Sequence, residues 1–131
     1  MSIATSLTAD DLRILIRGYA DALAAHRETI NRLNVYPVPD GDTGTNMALT
    51  LASVVAELDG AEADLDSTCQ AISHGSLMGA RGNSGVILSQ ILRGLSGKLS
   101  AKAGSTATEF AEALSAASAS AYQAVLKPIE G

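Results

Sequence analysis

The stretch NVYPVPDGDTGTNM, residues 34–47, separates two helical patterns and holds two prolines, two glycines and two aspartates. Pro37 and Pro39 lack backbone N–H groups and push the residues before them toward extended geometry, so a helix cannot continue through this segment. Ordinary connections between helices are short and need no such composition. The segment is therefore predicted to be a stiff loop that holds a ligand.

On both sides of this loop, apolar residues recur with the helical period of about 3.6 residues. Before it, a helix capped by Thr8 or Asp10 is predicted to run to about Leu33. After it, a second helix is predicted from about Thr45 to Asp59. The positions predicted to face inward are Leu12, Leu15, Ile16, Tyr19, Leu23, Ile30, Leu33, Met47, Leu51, Val54, Val55 and Leu58.

A third helix is predicted to begin within residues 64–67, where Ser67 and Gln70 have the spacing of a capping box. The residues of this helix predicted to face inward are Cys69, Ile72 and Leu77. The glycine-rich segment GSLMGARGNSG, residues 75–85, is predicted to be a second loop. It leads into a fourth helical pattern, VILSQILRGL.

A linker of Gly and Ser is predicted near residues 94–105, and Thr106 and Glu109 then form another capping-box pattern. The fifth helix is predicted to bury Phe110, Leu114, Ala117, Ala121, Tyr122, Val125 and Leu126. No window shows the alternation of an exposed-face strand over more than a few residues. The sequence therefore predicts an all-α fold of about five helices, in one domain spanning residues 1–131.

The net charge of −5, without a cluster of Lys and Arg, argues against nucleic-acid binding. Cys69 is the only cysteine, which excludes an intramolecular disulfide and favours a buried, unreactive thiol. The sequence shows no apolar run of ~18 residues and no basic start of a signal peptide, so no transmembrane segment is expected. The expected location is cytoplasmic.

Asp40 and Asp42 lie one residue apart, so both carboxylates can reach one hard cation such as Mg²⁺ or Ca²⁺. A solvated turn in which an aspartate caps the next helix is the simpler alternative. An EF-hand is excluded, because Leu51 stands where its bidentate Glu belongs and Gly44 stands at a ligand position. A site with few carboxylates and room for water and phosphate favours Mg²⁺.

The segment GARGNSG, residues 79–85, places flexible backbone and Ser84 at the start of a helix, where amides can approach a phosphate. A tight turn between helices is the alternative. It is not a Walker A motif, because the pair Gly97 and Lys98 is followed by Leu99. Arg81 either reaches a phosphate or lies in solvent.

The pair of segments, PVPDGDTGTNM and GARGNSG, resembles the N-terminal kinase domain of bacterial fatty acid kinases and, more broadly, the DhaL-type nucleotide-binding domain of dihydroxyacetone kinases. The resemblance runs from about Leu12 to the end of the chain. It implies an antiparallel helical barrel whose mouth binds ATP or ADP with two Mg²⁺ ions held by aspartates. Members of that family continue beyond the position of Gly131, so the resemblance implies an incomplete barrel.

The same resemblance implies which residues form the site. Asp40 and Asp42 match the metal ligands and are the predicted catalytic residues. Asn34 stands near the place of a third aspartate and is the predicted third ligand, acting through water. The residues implied to contact the nucleotide are Thr43, Thr45, Asn46, Gly82, Asn83, Ser84 and Gly85.

The activity that the resemblance implies is transfer of the γ-phosphoryl group of ATP to the carboxylate of a fatty acid. In that family a separate DegV-like lipid-binding protein presents the acyl chain, and later domains of the kinase polypeptide recruit it; the resemblance implies that those domains lie outside residues 1–131. One alternative is the ATP-binding subunit of a dihydroxyacetone kinase, and another is a nucleotide-binding or interaction module without catalysis. A homodimer is also left open.

Overall fold

The computed structural model describes residues 8–33, 41–99 and 107–124, which form five α-helices. The helices are α1 (Ala9–Leu33), α2 (Thr43–Asp59), α3 (Leu65–Gly79), α4 (Gly82–Leu99) and α5 (Ala107–Ala124). No strand occurs within these ranges. The predictions of an all-α fold and of about five helices are confirmed.

Each helix packs against the next one along the chain, and α2 also contacts α4. Gly79, at the end of α3, packs closely against Ser53 in α2. Arg13, near the start of α1, bonds to carbonyls at the end of α2. Neighbouring helices therefore run antiparallel, and α2 and α4 run in the same direction.

Aliphatic side chains from α1 to α4 fill the core, and alanine closes it toward α5. The buried apolar residues include Leu12, Ile16, Leu23, Leu51, Val54, Leu58, Leu65, Ile72, Leu88, Leu92, Leu95, Leu99, Ala113 and Ala117. Small residues let α4 and α5 approach closely, since a Cβ at Gly94 would lie 2.8 Å from the carbonyl oxygen of Ala116. This packing agrees with the scarcity of aromatic residues in the sequence.

The first helix begins with a reciprocal capping box. The Asp11 amide donates to Thr8 Oγ1 at 3.2 Å, and the Thr8 amide donates to Asp11 Oδ2 at 3.0 Å. Each bond satisfies an amide that the helix itself leaves without a partner. Of the two predicted caps, Thr8 is the one used.

The capping box predicted at Ser67 and Gln70 is wrong. The N-cap of α3 is Asp64, whose Oδ2 accepts the Ser67 amide at 2.8 Å. Gln70 instead donates to Asp66 Oδ2 at 3.1 Å along the same helix face. Asp is a stronger N-cap than an interior Ser can be, because its carboxylate reaches the amide three residues on.

The glycine-rich segment 75–85 is helical at both ends, and the predicted long loop is wrong. Helix α3 continues through Gly79 and α4 begins at Gly82, so only Ala80 and Arg81 connect them. A Cβ at Gly75 would lie 2.8 Å from Val54 Cα. Close packing on α2 thus explains why glycines occur inside a helix, against their low helix propensity.

The predicted linker is also shorter than expected, because α4 runs to Leu99 and buries Leu95 and Leu99. The rest of that linker and Thr106 lie outside the described residues. So do Val125 and Leu126.

Several apolar residues predicted to face inward are exposed. They are Leu15, Tyr19, Leu33, Leu77, Leu114 and Tyr122. Among the described residues, α1 packs mainly on α2, and α5 packs on α4 alone. The apolar pattern of each of these two helices is wider than the surface that its neighbour covers. Within the described ranges, no helix combines the length and hydropathy needed to cross a membrane.

Candidate functional site

The aspartate-rich segment leads directly into α2. Asp42 is the N-cap of this helix and is exposed, and its carbonyl accepts the Asn46 amide at 2.8 Å. Its carboxylate makes no capping hydrogen bond to the first turn. Asp42 thus places an accessible carboxylate beside the amides at the start of α2.

The last turns of α1 hold the start of α2. Asn31 Oδ1 accepts the Thr45 amide at 3.0 Å, and Asn31 Nδ2 donates to Thr45 Oγ1 at 2.9 Å. Gly44 is buried against α1, where a Cβ would collide with the carbonyl oxygen of Arg27. The two hydrogen bonds between Asn31 and Thr45, together with the close approach of Gly44, fix the first turn of α2 against α1.

The first turn of α4 lies beside the first turn of α2. Gly82 has a φ of 65°, which favours glycine, and a Cβ there would collide with the side-chain amide of Asn46. One turn further along both helices, a Cβ at Gly85 would lie 2.6 Å from Thr50 Oγ1. The two helix starts are therefore neighbours at one end of the bundle.

Both helix starts present amides that come before the first intrahelical hydrogen bond. In α4 that first bond is donated by Gly85 to the Arg81 carbonyl at 3.0 Å. The amides of residues 82–84 precede it, as those of Thr43 and Gly44 precede the corresponding bond in α2. Such amides carry the positive end of the helix dipole, about half an elementary charge. Two positive ends thus meet at this end of the molecule.

The first turns of these two helices differ from those of the other three. Neither α2 nor α4 has an acidic residue in its first turn. By contrast, α1 has Asp10 and Asp11, α3 has Asp66 and α5 has Glu109. A carboxylate in the first turn offsets the dipole, so α4 keeps more of its attraction for an anion, whereas the Asp42 carboxylate at the N-cap offsets the dipole of α2 until it binds a cation.

The structure brings together eight of the predicted site residues. These are Asp42, Thr43, Thr45, Asn46, Gly82, Asn83, Ser84 and Gly85. Asp40 and Asn34 lie outside the described residues. Asn83 is exposed and Ser84 is half-buried, whereas Gly85 is buried and its amide bonds within α4. The geometry of Gly85 is that of a close contact between helices.

The Asp42 carboxylate at this end is a ligand of the kind that Mg²⁺ accepts. Within residues 8–33, 41–99 and 107–124, no group of three His, Cys, Asp or Glu side chains could hold a metal ion. Mg²⁺ is commonly bound through one or two carboxylates together with waters and substrate phosphates. Asp42 provides such a carboxylate next to amides that can face phosphate.

Three other candidate groups, His74, His26 and Cys69, have different surroundings. His74 Nδ1 is 3.0 Å from Glu57 Oε1, beside a groove of about 580 Å³ between α2 and α3. His26 is exposed on α1. Burial, and then the charge of Asp66, raises the pKa of the Cys69 thiol to about 11, so this thiol stays protonated at neutral pH. The prediction of an unreactive buried cysteine agrees with this environment.

Two polar residues that organise the site were not predicted from the sequence. Asn31 bonds to Thr45, which lies 14 residues further on in the next helix, so the helical period within α1 does not predict this contact. Thr50 is a polar residue on the buried face of α2, next to Leu51. A buried hydroxyl needs hydrogen-bond partners, so its position was a usable signal for a contact with another segment.

Comparison with known proteins identifies the family. Residues 37–131 match the family model of the DAK2 domain. Protein YloV of Bacillus subtilis is 48% identical over 118 residues, which are 89% of this chain and 21% of that protein. An uncharacterized protein of Staphylococcus saprophyticus is 48% identical over 125 residues, covering 90% of this chain and 21% of that protein.

An uncharacterized protein of Staphylococcus epidermidis is 44% identical over 119 residues, again covering 90% of this chain and 21% of that protein. The chain thus spans about a fifth of the length of the curated relatives it matches. The family match takes in most of the chain and both segments of the candidate site. This chain belongs to the DAK2 domain family.

Proposed function

We propose that the chain is an ATP- and Mg²⁺-dependent phosphotransferase domain whose site lies at the paired starts of α2 and α4. The DAK2 domain family is nucleotide-binding and kinase-associated. The proposal assigns the nucleotide phosphates to this end of the bundle. It also assigns phosphoryl transfer to the same place.

The observation that carries the proposal is the pairing of two helix starts without an acidic residue in either first turn. A chain with a net charge of −5 repels a polyanion at long range, so binding depends on local positive potential. Two helix dipoles and several amides, together with the Mg²⁺ that the aspartates are proposed to hold, would supply that potential without a cluster of basic side chains. This arrangement suits the phosphates of a nucleotide.

The residues divide into two groups by their expected roles. Asp40 and Asp42 hold two Mg²⁺ ions, with Asn34 as the third ligand through water. When bound, Mg²⁺ neutralises charge on the β- and γ-phosphate oxygens. The residues that face the phosphates are Thr43, Thr45, Asn46, Gly82, Asn83 and Ser84. Gly85 lets α4 approach α2.

Phosphoryl transfer depends mainly on positioning and charge neutralisation, so the protein need not supply a nucleophile. The first turns of α2 and α4 orient the phosphates by their amides and hydroxyl groups. Asn31 and Gly44 keep the α2 turn in place on α1. The acceptor oxygen then attacks a phosphoryl group whose position these turns define.

The proposed acceptor is the carboxylate of a fatty acid that a DegV-like lipid-binding protein presents. The support for this choice is the resemblance of PVPDGDTGTNM and GARGNSG to fatty acid kinases. A carboxylate attacking the γ-phosphoryl group would give an acyl phosphate and ADP.

Calorimetric titration of the protein with ADP, with and without Mg²⁺, tests the nucleotide site. Binding should weaken at least about tenfold without Mg²⁺ or in Asp42→Asn, because the carboxylate would hold the metal ion that neutralises the phosphates. The matched control is Asp66→Asn, which removes an exposed carboxylate from the first turn of α3. Equal affinity with and without Mg²⁺, or in wild type and Asp42→Asn, would refute the metal bridge.

A second assay tests the acceptor. ATP turnover is measured in parallel with a DegV-like protein loaded with fatty acid and with dihydroxyacetone. Turnover that requires the loaded lipid-binding protein is the expected result. Turnover with dihydroxyacetone alone would overturn the choice of acceptor and leave the nucleotide site standing.

A further inference from the structure

We propose that Thr50 is a positioning residue of the nucleotide site, which holds the first turn of α4 in register with the first turn of α2. The inference rests on the proposed function of those two turns. Thr50 is fully buried, so it acts through its neighbours and has no contact with the nucleotide.

The hydroxyl of Thr50 links the two segments directly. Oγ1 donates to the Asn46 carbonyl at 2.7 Å and accepts the Arg81 amide at 3.3 Å. Asn46 lies in the first turn of α2, and Arg81 immediately precedes α4. One buried side chain therefore bonds to the backbone of both turns that are proposed to face phosphate.

The packing around the hydroxyl is as specific as its bonds. Gly85 approaches so closely that a Cβ would lie 2.6 Å from Thr50 Oγ1. A hydroxyl can donate and accept at the same time, whereas the methyl group of valine can do neither. In Thr50→Val the Arg81 amide would lose its acceptor with little change in volume. In Thr50→Ser the hydroxyl would remain.

Thr68 offers a control with the same chemistry at the other end of the bundle. It is also fully buried, and its Oγ1 donates to the Asp64 carbonyl at 2.7 Å. The same oxygen accepts from Arg13 Nε at 3.3 Å. Thr68→Val thus removes one donated and one accepted hydrogen bond near the start of α3, away from the α2 and α4 first turns.

The test measures the affinity for ADP in saturating Mg²⁺ by calorimetry, at a temperature where each variant is folded by circular dichroism. Thr50→Val should weaken binding about tenfold, as expected when one hydrogen bond that orders a binding turn is lost. Thr50→Ser should recover most of the affinity. Thr68→Val should bind within about twofold of wild type, although its urea midpoint falls as it does in Thr50→Val.

Two results would overturn the inference. One is wild-type affinity in Thr50→Val, and the other is an equal loss of affinity in Thr50→Val and Thr68→Val, which would show only a general effect of stability. If wild type itself fails to bind Mg²⁺ with ADP, the proposed function fails and the inference fails with it. If wild type binds and the Thr50 variants are unaffected, the inference alone fails.

A measurement on the wild-type protein needs no variant to fold. The Arg81 amide should exchange with deuterium on the order of tenfold more slowly than the amides of Gly82 and Asn83, because it alone is held by the Thr50 hydroxyl. Equal exchange at these positions would show that the bond does not order the start of α4. That result would also overturn the inference.

Discussion

The two ends of α2 differ in the charge of the side chains that bind them. At the C-terminal end, the guanidinium of Arg13 donates to the carbonyls of Leu58, Ala61 and Glu62 at 2.9, 3.2 and 2.6 Å. A cation from α1 thus binds one carbonyl in the last turn of α2 and two just after it, and offsets the negative end of the helix dipole. At the N-terminal end, the first turn carries no acidic residue, and the Asp42 carboxylate at the N-cap makes no capping hydrogen bond to that turn.

Neutral side chains fix the position of the turns at the N-terminal end. Asn31 and Thr50 hold the turns of α2 and α4 through amide and hydroxyl groups. At the other end, Arg17 and Asp59 form a further ion pair next to the Arg13 contacts. The difference teaches that this fold neutralises the end that only needs stability. At the end proposed to bind phosphate, neutral groups hold the turns, and the Asp42 carboxylate at the N-cap is proposed to hold a cation.

Replacement of Arg13 should have the largest effect on stability. Arg13→Ala removes hydrogen bonds to three carbonyls and to Thr68, so the free energy of unfolding should fall by about 3 kcal/mol. Affinity for Mg²⁺ with ADP should stay within about twofold, because the change lies at the other end of α2. Urea denaturation and calorimetry measure the two quantities.

The control for this prediction is Arg13→Lys, which keeps the charge. An ammonium group cannot match the planar fork of a guanidinium across several carbonyls, so Lys should recover less than half of the loss. A loss below about 1 kcal/mol in Arg13→Ala would show that packing holds this end and that the contrast between the two ends is overstated.

At the N-terminal end, Gly44→Ala should lower the free energy of unfolding by about 2 kcal/mol, because the new methyl group collides with the Arg27 carbonyl. It should also weaken ADP binding by displacing the first turn of α2. Gly18 in α1 is a matched control, since a Cβ there meets nothing within 4 Å.

Gly18→Ala should therefore raise the free energy of unfolding by about 0.5–1 kcal/mol through helix propensity alone. The same glycine-to-alanine change would then have opposite signs in the two places. A neutral effect of Gly44→Ala, measured by urea denaturation, would show that α2 does not need its close approach to α1.

Much of the helical arrangement could be predicted from the sequence, because apolar residues recur with the helical period. The helical pattern located α1 and the end of α2 at Asp59 to within a residue. The proline and glycine segments located the starts of α2 and α4 approximately. What failed was the extent of the second loop, because Gly75 and Gly79 lie in α3, where the helix packs closely against α2.

The polar contacts that join the segments could not be predicted by period. Arg13 bonds to residues 45 to 55 positions away, and Thr50 bonds to an amide 31 positions away. Such contacts depend on how the helices cross, which no local pattern specifies. The exposed Leu15 and Tyr122 show the same limit, since a helix pattern does not reveal how much of a face its neighbour covers.

A smaller effect on stability is expected for Asn31, which bonds to Thr45 across the α1 and α2 contact. Asn31→Ala leaves the Thr45 amide without its acceptor, and the free energy of unfolding should fall by about 1 kcal/mol, as for the loss of a helix cap. Asn31→Asp keeps an acceptor for this amide and should recover most of the loss in urea denaturation. Equal losses in both variants would show that the donated bond to Thr45 Oγ1 is the important one.

The smallest effect should be a pH dependence at the start of α3, near the Arg13 contacts. The hydrogen bond from the Ser67 amide lowers the pKa of Asp64 in the folded state. A carboxyl group whose pKa is lower when folded than when unfolded stabilises the fold above its unfolded pKa of about 3.9, and this contribution is lost as the pH falls through the folded pKa. Asp64→Asn keeps a capping oxygen but does not titrate.

The urea midpoints of wild type and Asp64→Asn, measured at pH 7 and again near pH 3, separate Asp64 from the other carboxylates, which titrate in both proteins. Wild type should lose more stability between the two pH values than Asp64→Asn does, because only wild type loses the charged cap. An equal loss in both proteins would mean that the charge of Asp64 contributes nothing beyond its hydrogen bond. Neutral and charged groups would then contribute to helix stability in a similar way, and the contrast between the two ends of α2 would be smaller than the structure indicates.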